Sequence, residues 1–179
     1  MKMKTLVTVA YFMAAMLFVA CEKADTCKFD ETSGVLSCVE KSYKTVKVGE
    51  TVWMAENLMR FDLGGESFCY NDTLKNCYSL GALYPHKVAM EICPEGWMLP
   101  SKADFEKAKM ASPEMRVVKA GFRYYDGKYA DENATASFWT ADVYDDSRAT
   151  LVRINANNEV VYENFNKSIA TSVRCIRKN

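Results

Sequence analysis

Histidine occurs once in these 179 residues and proline four times, and no Cys-x-x-Cys pair, basic run, fixed-period repeat or low-complexity tract is present. Each shortage removes a class of protein. Without a Cys-x-x-Cys pair, and with no histidine near a cysteine in sequence, a thiolate metal site or a redox dithiol is the minority reading. His86 is the sole imidazole, so no nucleophile, base and orienting partner assemble from the sequence; the chain reads as a non-enzyme without a cofactor. With 23 basic residues against 23 acidic and no basic stripe, nucleic acid is not an expected partner. Few prolines beside ten tyrosines, nine phenylalanines and three tryptophans exclude a disordered stalk and point to an aromatic-rich globule.

What is present starts with a leader. Lys2 and Lys4 precede an uncharged stretch, residues 5–20, and the small residue Ala20 stands immediately before Cys21. This is the pattern of a bacterial lipoprotein signal, although Phe18 holds the position where such signals usually carry Leu. The expectation is a signal peptide over residues 1–20 and a lipidated Cys21, whose acyl methylenes contribute roughly 0.8 kcal/mol each to membrane attachment. An uncleaved anchor helix needs about 20 apolar residues, and Glu22-Lys23-Ala24-Asp25 offers no extension. The expected location is the cell envelope, at the outer membrane or cell surface, with the membrane as partner through the lipid. Loss of the leader with its two lysines leaves about 159 residues at a net charge of about −2, enough chain for one domain with a real core.

Beyond Cys21 the cysteines are Cys27, Cys38, Cys69, Cys77, Cys93 and Cys175, an even number in a chain expected to leave the reducing cytosol. Six cysteines allow 15 pairings. Cys27 to Cys38 and Cys69 to Cys77 enclose short, polar, turn-rich segments that favour local hairpin closure, and elimination then pairs Cys93 with Cys175. Chain entropy values that long loop at about 4 to 5 kcal/mol and the Cys69 loop at about 2.5 kcal/mol.

Residues 21–42 read as a tether and lead-in strand, and the globular domain is expected over 43–179. Around Gly49-Glu50, alternating residues 45–54 predict a hairpin with a type II′ turn. Leu83, Val88 and Ile92 share a helical spacing, predicting a helix over 81–92 with Pro85 in its first turn. A second helix is expected from Ser101 to about Ala111, with Ser101 and Asp104 as a capping pair and Ala103, Phe105, Ala108 and Met110 as its apolar stripe. Asp126-Gly127 predicts a type I′ hairpin; Ser137 to Thr140 reads as a buried strand, and residues 149–154 and 159–165 as a hairpin around Asn155-Ala-Asn-Asn158. One final strand is expected over 171–177. The fold class is α+β, with two helices packed on mostly antiparallel sheet and disulfide staples.

Val48-Gly-Glu-Thr-Val-Trp-Met-Ala-Glu-Asn-Leu58, Cys69-Tyr-Asn, Gly81-Ala-Leu-Tyr84, Cys93-Pro-Glu-Gly-Trp-Met-Leu-Pro-Ser101, Phe138-Trp-Thr140 and Ser172-Val-Arg-Cys175 occur in this order over nearly the whole mature chain. Together they resemble the Fibrobacter succinogenes major paralogous domain (FISUMP), whose members are typically secreted or surface lipoproteins. The Gly-Trp-x-Leu-Pro-Ser segment, the Phe-Trp strand and the terminal Val-Arg strand are also similar to C-type-lectin-like and formylglycine-generating-enzyme-like domains. That resemblance implies a C-type-lectin-like fold with closely placed termini, and it agrees with a Cys93–Cys175 pair.

The family resemblance narrows location more than chemistry. The calcium-binding triplets of sugar-binding lectins are absent, and Asp142, Asp145 and Asp146 read first as a solvated acidic loop. Tyr124, Tyr125 and Tyr129 flank a hairpin turn where rings can stack on sugar or peptide, against the plainer reading of sheet packing. These six residues form the candidate ligand surface. Trp53, Trp97 and Trp139 are expected in the core. The functional expectation is a non-catalytic binding module for polysaccharide or protein, with a structural component of an envelope complex as the alternative.

Overall fold

Alternating and β-branched segments build two sheets, and the turns between them decide where the surface residues stand. In a computed structural model, residues 27–61, 64–110 and 112–178 are described; the leader and Cys21 lie outside them. Strands β1 (Lys28–Asp30) and β2 (Val35–Ser37) form a hairpin closed by Cys27–Cys38. Leu36 is fully buried in the main core, so this segment contributes two sheet strands and a core residue as well as a lead-in. Strands β3 (Ser42–Val48) and β4 (Thr51–Met54) pair through the two-residue turn at Gly49-Glu50, where Gly49 has φ 59, as a type II′ turn requires.

The Cys69–Cys77 segment departs from its expected hairpin. It forms a 3-10 turn, Tyr70–Asp72, followed by helix α1 (Leu74–Leu80). The helix expected over 81–92 is mostly replaced: Leu83–Pro85 is strand β5, and only His86–Ala89 is helical, as α2. Pro85 explains the break, because the residue before proline is pushed to extended backbone, and Leu83 and Tyr84 then find sheet partners.

Helix α3 (Lys102–Ala108) begins on the expected capping box, with the Asp104 amide donating to Ser101 Oγ and the Ser101 amide donating to Asp104 Oδ2. It ends sooner than expected, at left-handed Lys109, and Ala103 is exposed, so Phe105, Ala108 and Met110 carry the buried face. The chain therefore has three α-helices among the described residues where two were expected.

Strands β6 (Ala120–Arg123), β7 (Tyr129–Glu132), β8 (Ala136–Val143), β9 (Arg148–Ile154) and β10 (Val160–Asn166) follow. The single last strand expected over 171–177 splits in two, β11 (Ala170–Ser172) and β12 (Ile176–Lys178). Between them residues 173–175 cross from one sheet to the other, with Val173 and Cys175 carbonyls accepting from the Leu58 and Met54 amides.

One sheet has the order β1-β2-β3-β4-β12; the other runs β10-β9-β8-β11-β6-β7, with β5 added on β11. Pairing is mostly antiparallel, so the class is α+β. Between the sheets Trp53 meets Phe105 of α3 at 5.1 Å, and Phe105 meets Phe138 at 6.1 Å. Cys93–Cys175 ties the chain after α2 to the crossover, completing the three pairings expected from spacing and elimination. Beside it Arg174 is fully buried and donates to Asn57 Oδ1 at 3.1 Å, Arg116 O at 3.0 Å and Met115 O. Burial pulls its pKa down to about 9, with Glu56 opposing, so the guanidinium stays charged at neutral pH.

Candidate functional site

The β6–β7 hairpin is the element on which the tyrosines converge, and its turn is built differently from the type I′ expectation. The Tyr124 amide donates to Lys128 O at 2.8 Å and the Gly127 amide to Tyr124 O at 3.1 Å. That leaves Tyr125, Asp126 and Gly127 as a three-residue loop whose positive φ falls on Gly127 alone, at 90°. Asp126 holds ordinary backbone because a three-residue loop needs only its last residue left-handed. Tyr125 sits at the tip, 75 % exposed.

Below the tip, Arg123 and Tyr129 oppose each other across the strand pair and share one face. The disulfide-closed segment docks on that face. The Arg123 guanidinium lies 4.0 Å from the Phe68 ring centre and 5.8 Å from that of Tyr129. Tyr129 packs at 5.0 Å on Tyr70 and donates its hydroxyl to Asp72 Oδ1 at 2.5 Å. Burial pushes the Tyr129 phenol up, and the Asp72 carboxylate adds to this while Arg123 opposes it. Phe68, Tyr70, Asp72 and Arg123 were not among the sequence candidates. The one signal for them was that Tyr70, Asn71 and Asp72 stand inside a cysteine-closed segment, which localises them without saying what they face.

Tyr124 is separated from this group. It leans to the other face of the hairpin, edge-on to buried Phe122 at 4.8 Å, and is 40 % exposed. The three tyrosines therefore serve two faces and a tip.

The three aspartates stand elsewhere, Asp142 near the end of β8 and Asp145 and Asp146 on the β8–β9 turn, and do separate structural work. Asp142 Oδ2 accepts from the Lys102 amide at the start of α3 at 2.6 Å. Asp145 accepts from Ser147 and Arg148 amides at 2.9 and 2.7 Å and pairs with the Arg148 guanidinium, which first among several donors brings its carboxyl down to about 2. Asp146 is exposed, and its carbonyl, like that of Asp145, accepts from Lys167 Nζ. Among the described residues no three His, Cys, Asp or Glu side chains gather as a metal ion requires.

His86 is 3 % exposed, with Nε2 3.0 Å from Thr140 O and its ring edge-on to Trp139 at 5.0 Å. A carbonyl partner fixes the Nε2–H tautomer, and burial lowers the imidazole pKa. Trp53, Trp97 and Trp139 are buried as expected. Two clefts of about 280 and 330 Å³ flank Phe29, but the charged Arg177 above that ring is already 3.5 Å from Glu31.

No protein-family model matches the chain, and no curated protein matches it.

Proposed function

We propose that this chain is a lipid-anchored cell-envelope protein that works as a non-catalytic binding module for polysaccharide, through the β6–β7 hairpin. The observation that carries the reading is Tyr125: a large ring three-quarters exposed at a turn tip, on a hairpin held rigid by the Cys69–Cys77 segment. Folding gives no reason to place a tyrosine there, since the turn geometry depends on Gly127. A rigid, amphipathic ring loses little entropy on contact and presents a flat face to a sugar's C–H surface.

Three further expectations belong to the same reading. The leader and Cys21 give the anchor. The FISUMP resemblance and a C-type-lectin-like fold are supported by β12 returning to the sheet that β1 begins, with Arg177 over Phe29. Absence of catalysis is supported by the burial of the only imidazole against a carbonyl.

A second reading has one observation in its favour. Seven-residue β10 lies at a sheet edge without a bulge, and an open edge of that length suits strand addition by an envelope-protein partner. Polysaccharide retention by the purified protein, compared with the proteins it captures from intact cells, separates the two. Retention abolished by Y125A supports the module; specific capture of an envelope protein with no polysaccharide retention favours the assembly role.

A further inference from the structure

The five-stranded sheet has polar turns at one end and an apolar residue at the other. Residues 31–34 (Glu-Thr-Ser-Gly) close β1 on β2, and Gly49-Glu50 closes β3 on β4. At the opposite end β2 turns into β3 through Val39-Glu40, with the Cys38 amide donating to Lys41 O at 3.1 Å. Val39 is 76 % exposed at that tip, where turns ordinarily carry Gly, Pro, Asn, Asp or Ser. At that exposure a β-branched side chain adds little to the core.

The same tip is fixed to the point where the chain enters the domain. Cys27 is bonded to Cys38, their α-carbons 4.0 Å apart, so the Val39 α-carbon stands within about 8 Å of that of Cys27. Residues 22–26 separate Cys27 from Cys21, and a chain of that length reaches about 22 Å at most. Lipid on Cys21 therefore keeps this end of the sheet close to the bilayer, whereas the seven residues of β3 carry the Gly49-Glu50 turn about 20 Å further along the strand. Lys28, beside Cys27, and Glu40, on the turn, are exposed, and Lys41 is paired with Glu56 at 2.9 Å. Charged groups of this kind stay hydrated at headgroup depth while an apolar neighbour goes deeper.

We propose that the Val39-Glu40 turn is the membrane-facing tip of the domain, with Val39 entering the interfacial layer of the phospholipid bilayer that holds Cys21. This rests on reading the chain as a lipid-anchored protein and is independent of what the β6–β7 hairpin binds. The five-stranded sheet then stands on the membrane by its Cys27–Cys38 end, with the Gly49-Glu50 turn outward. The contact orients a domain that the anchor alone would only tether.

The test uses the full-length protein purified from membranes and placed in phosphatidylcholine vesicles, with acylation of Cys21 read by mass spectrometry. Fluorophores are attached through V39C or E50C, and the quencher is a phospholipid brominated at the headgroup end of its acyl chain. The expected result is at least about twofold quenching at V39C and almost none at E50C, since an interfacial contact reaches about 5–10 Å into the bilayer and the two turns stand about 20 Å apart. In the unlabelled acylated protein on vesicles, amide exchange at Glu40 and Lys41 should be about tenfold slower than in V39D. If labelling of V39C disturbs the near-UV spectrum, amide exchange decides. Equal quenching at the two sites, or equal exchange in wild type and V39D, overturns the proposal while an acylated Cys21 keeps the anchor reading. Slow exchange that depends on protein density at fixed lipid, without quenching, marks a second copy of the chain as the occupant and overturns the proposal as well. An unacylated Cys21 removes the anchor reading and the proposal with it.

Discussion

Two hairpin tips in this protein share one backbone and differ in everything they present. At the β6–β7 tip the Tyr124 amide bonds Lys128 O and the Gly127 amide bonds Tyr124 O; at the β9–β10 tip Asn155 bonds Glu159 O and Asn158 bonds Asn155 O in the same pattern. Each places its positive φ at the loop's last residue, Gly127 at 90° and Asn158 at 63°. The second tip is self-contained: Asn155 Oδ1 accepts from the Asn157 and Glu159 amides, and its Nδ2 donates to Glu159 Oε2. The first tip carries an exposed aromatic ring and leans on a separate disulfide-closed loop. Turn chemistry accounts for both backbones, and neither backbone requires the exposed tyrosine.

Disulfide removal should break the comparison most visibly. Loss of the Cys93–Cys175 bond in C93A/C175A should cost about 4.5 kcal/mol and speed amide exchange at both tips, because it loosens the whole domain. C69A/C77A should cost about 2.5 kcal/mol and speed exchange at the Tyr124 amide while leaving the Asn155 amide near its original rate. Equal effects at both tips in the second variant would mean that the loop does not support its hairpin.

A smaller effect is expected at the left-handed positions. G127A should destabilise by about 1 kcal/mol in denaturant titration, since φ 90° is strained for alanine and the new Cβ would sit 3.3 Å from Arg123 Nη2. N158G should change stability by only a few tenths of a kcal/mol, because asparagine already accepts this backbone.

The smallest expected effect concerns pH. His86 packs against Thr140 and Trp139 and belongs to neither loop, and its folded pKa is below the ordinary 6.5 because burial disfavours the imidazolium. The unfolded chain therefore binds the proton first, and stability falls as pH drops below about 6.5 toward the lowered value. Titration of the single imidazole by NMR should give a midpoint under 6.5, with the exchange difference between the tips unchanged across that range.

Much of this scaffold can be read from residue patterns because its cues are local. Gly49-Glu50, the Ser101–Asp104 box and the short Cys27–Cys38 and Cys69–Cys77 spacings each report on a few neighbouring residues, and the turn, the cap and the two pairings appear as expected; Cys93–Cys175 followed only by elimination. Helical spacing misled at Leu83, Val88 and Ile92, where Pro85 and the β11 partner outweighed periodicity. The split at residues 173–175 is likewise tertiary: Val173 and Cys175 pair with residues of a distant segment. The candidate surface was half legible. Tyr125 is exposed by its own turn, whereas Asp72 and Arg123 acquire meaning only once a loop some 50 residues earlier docks on the hairpin.

The most direct measurement is the affinity of wild-type, Y125A and N157A proteins for a polysaccharide retained by the wild type, with folding checked by near-UV circular dichroism. A loss of about tenfold or more in Y125A is predicted, as removal of one stacking ring is worth 1 to 2 kcal/mol, with N157A unchanged. Equal affinities for all three folded proteins would contradict the assignment of this hairpin tip as the binding surface.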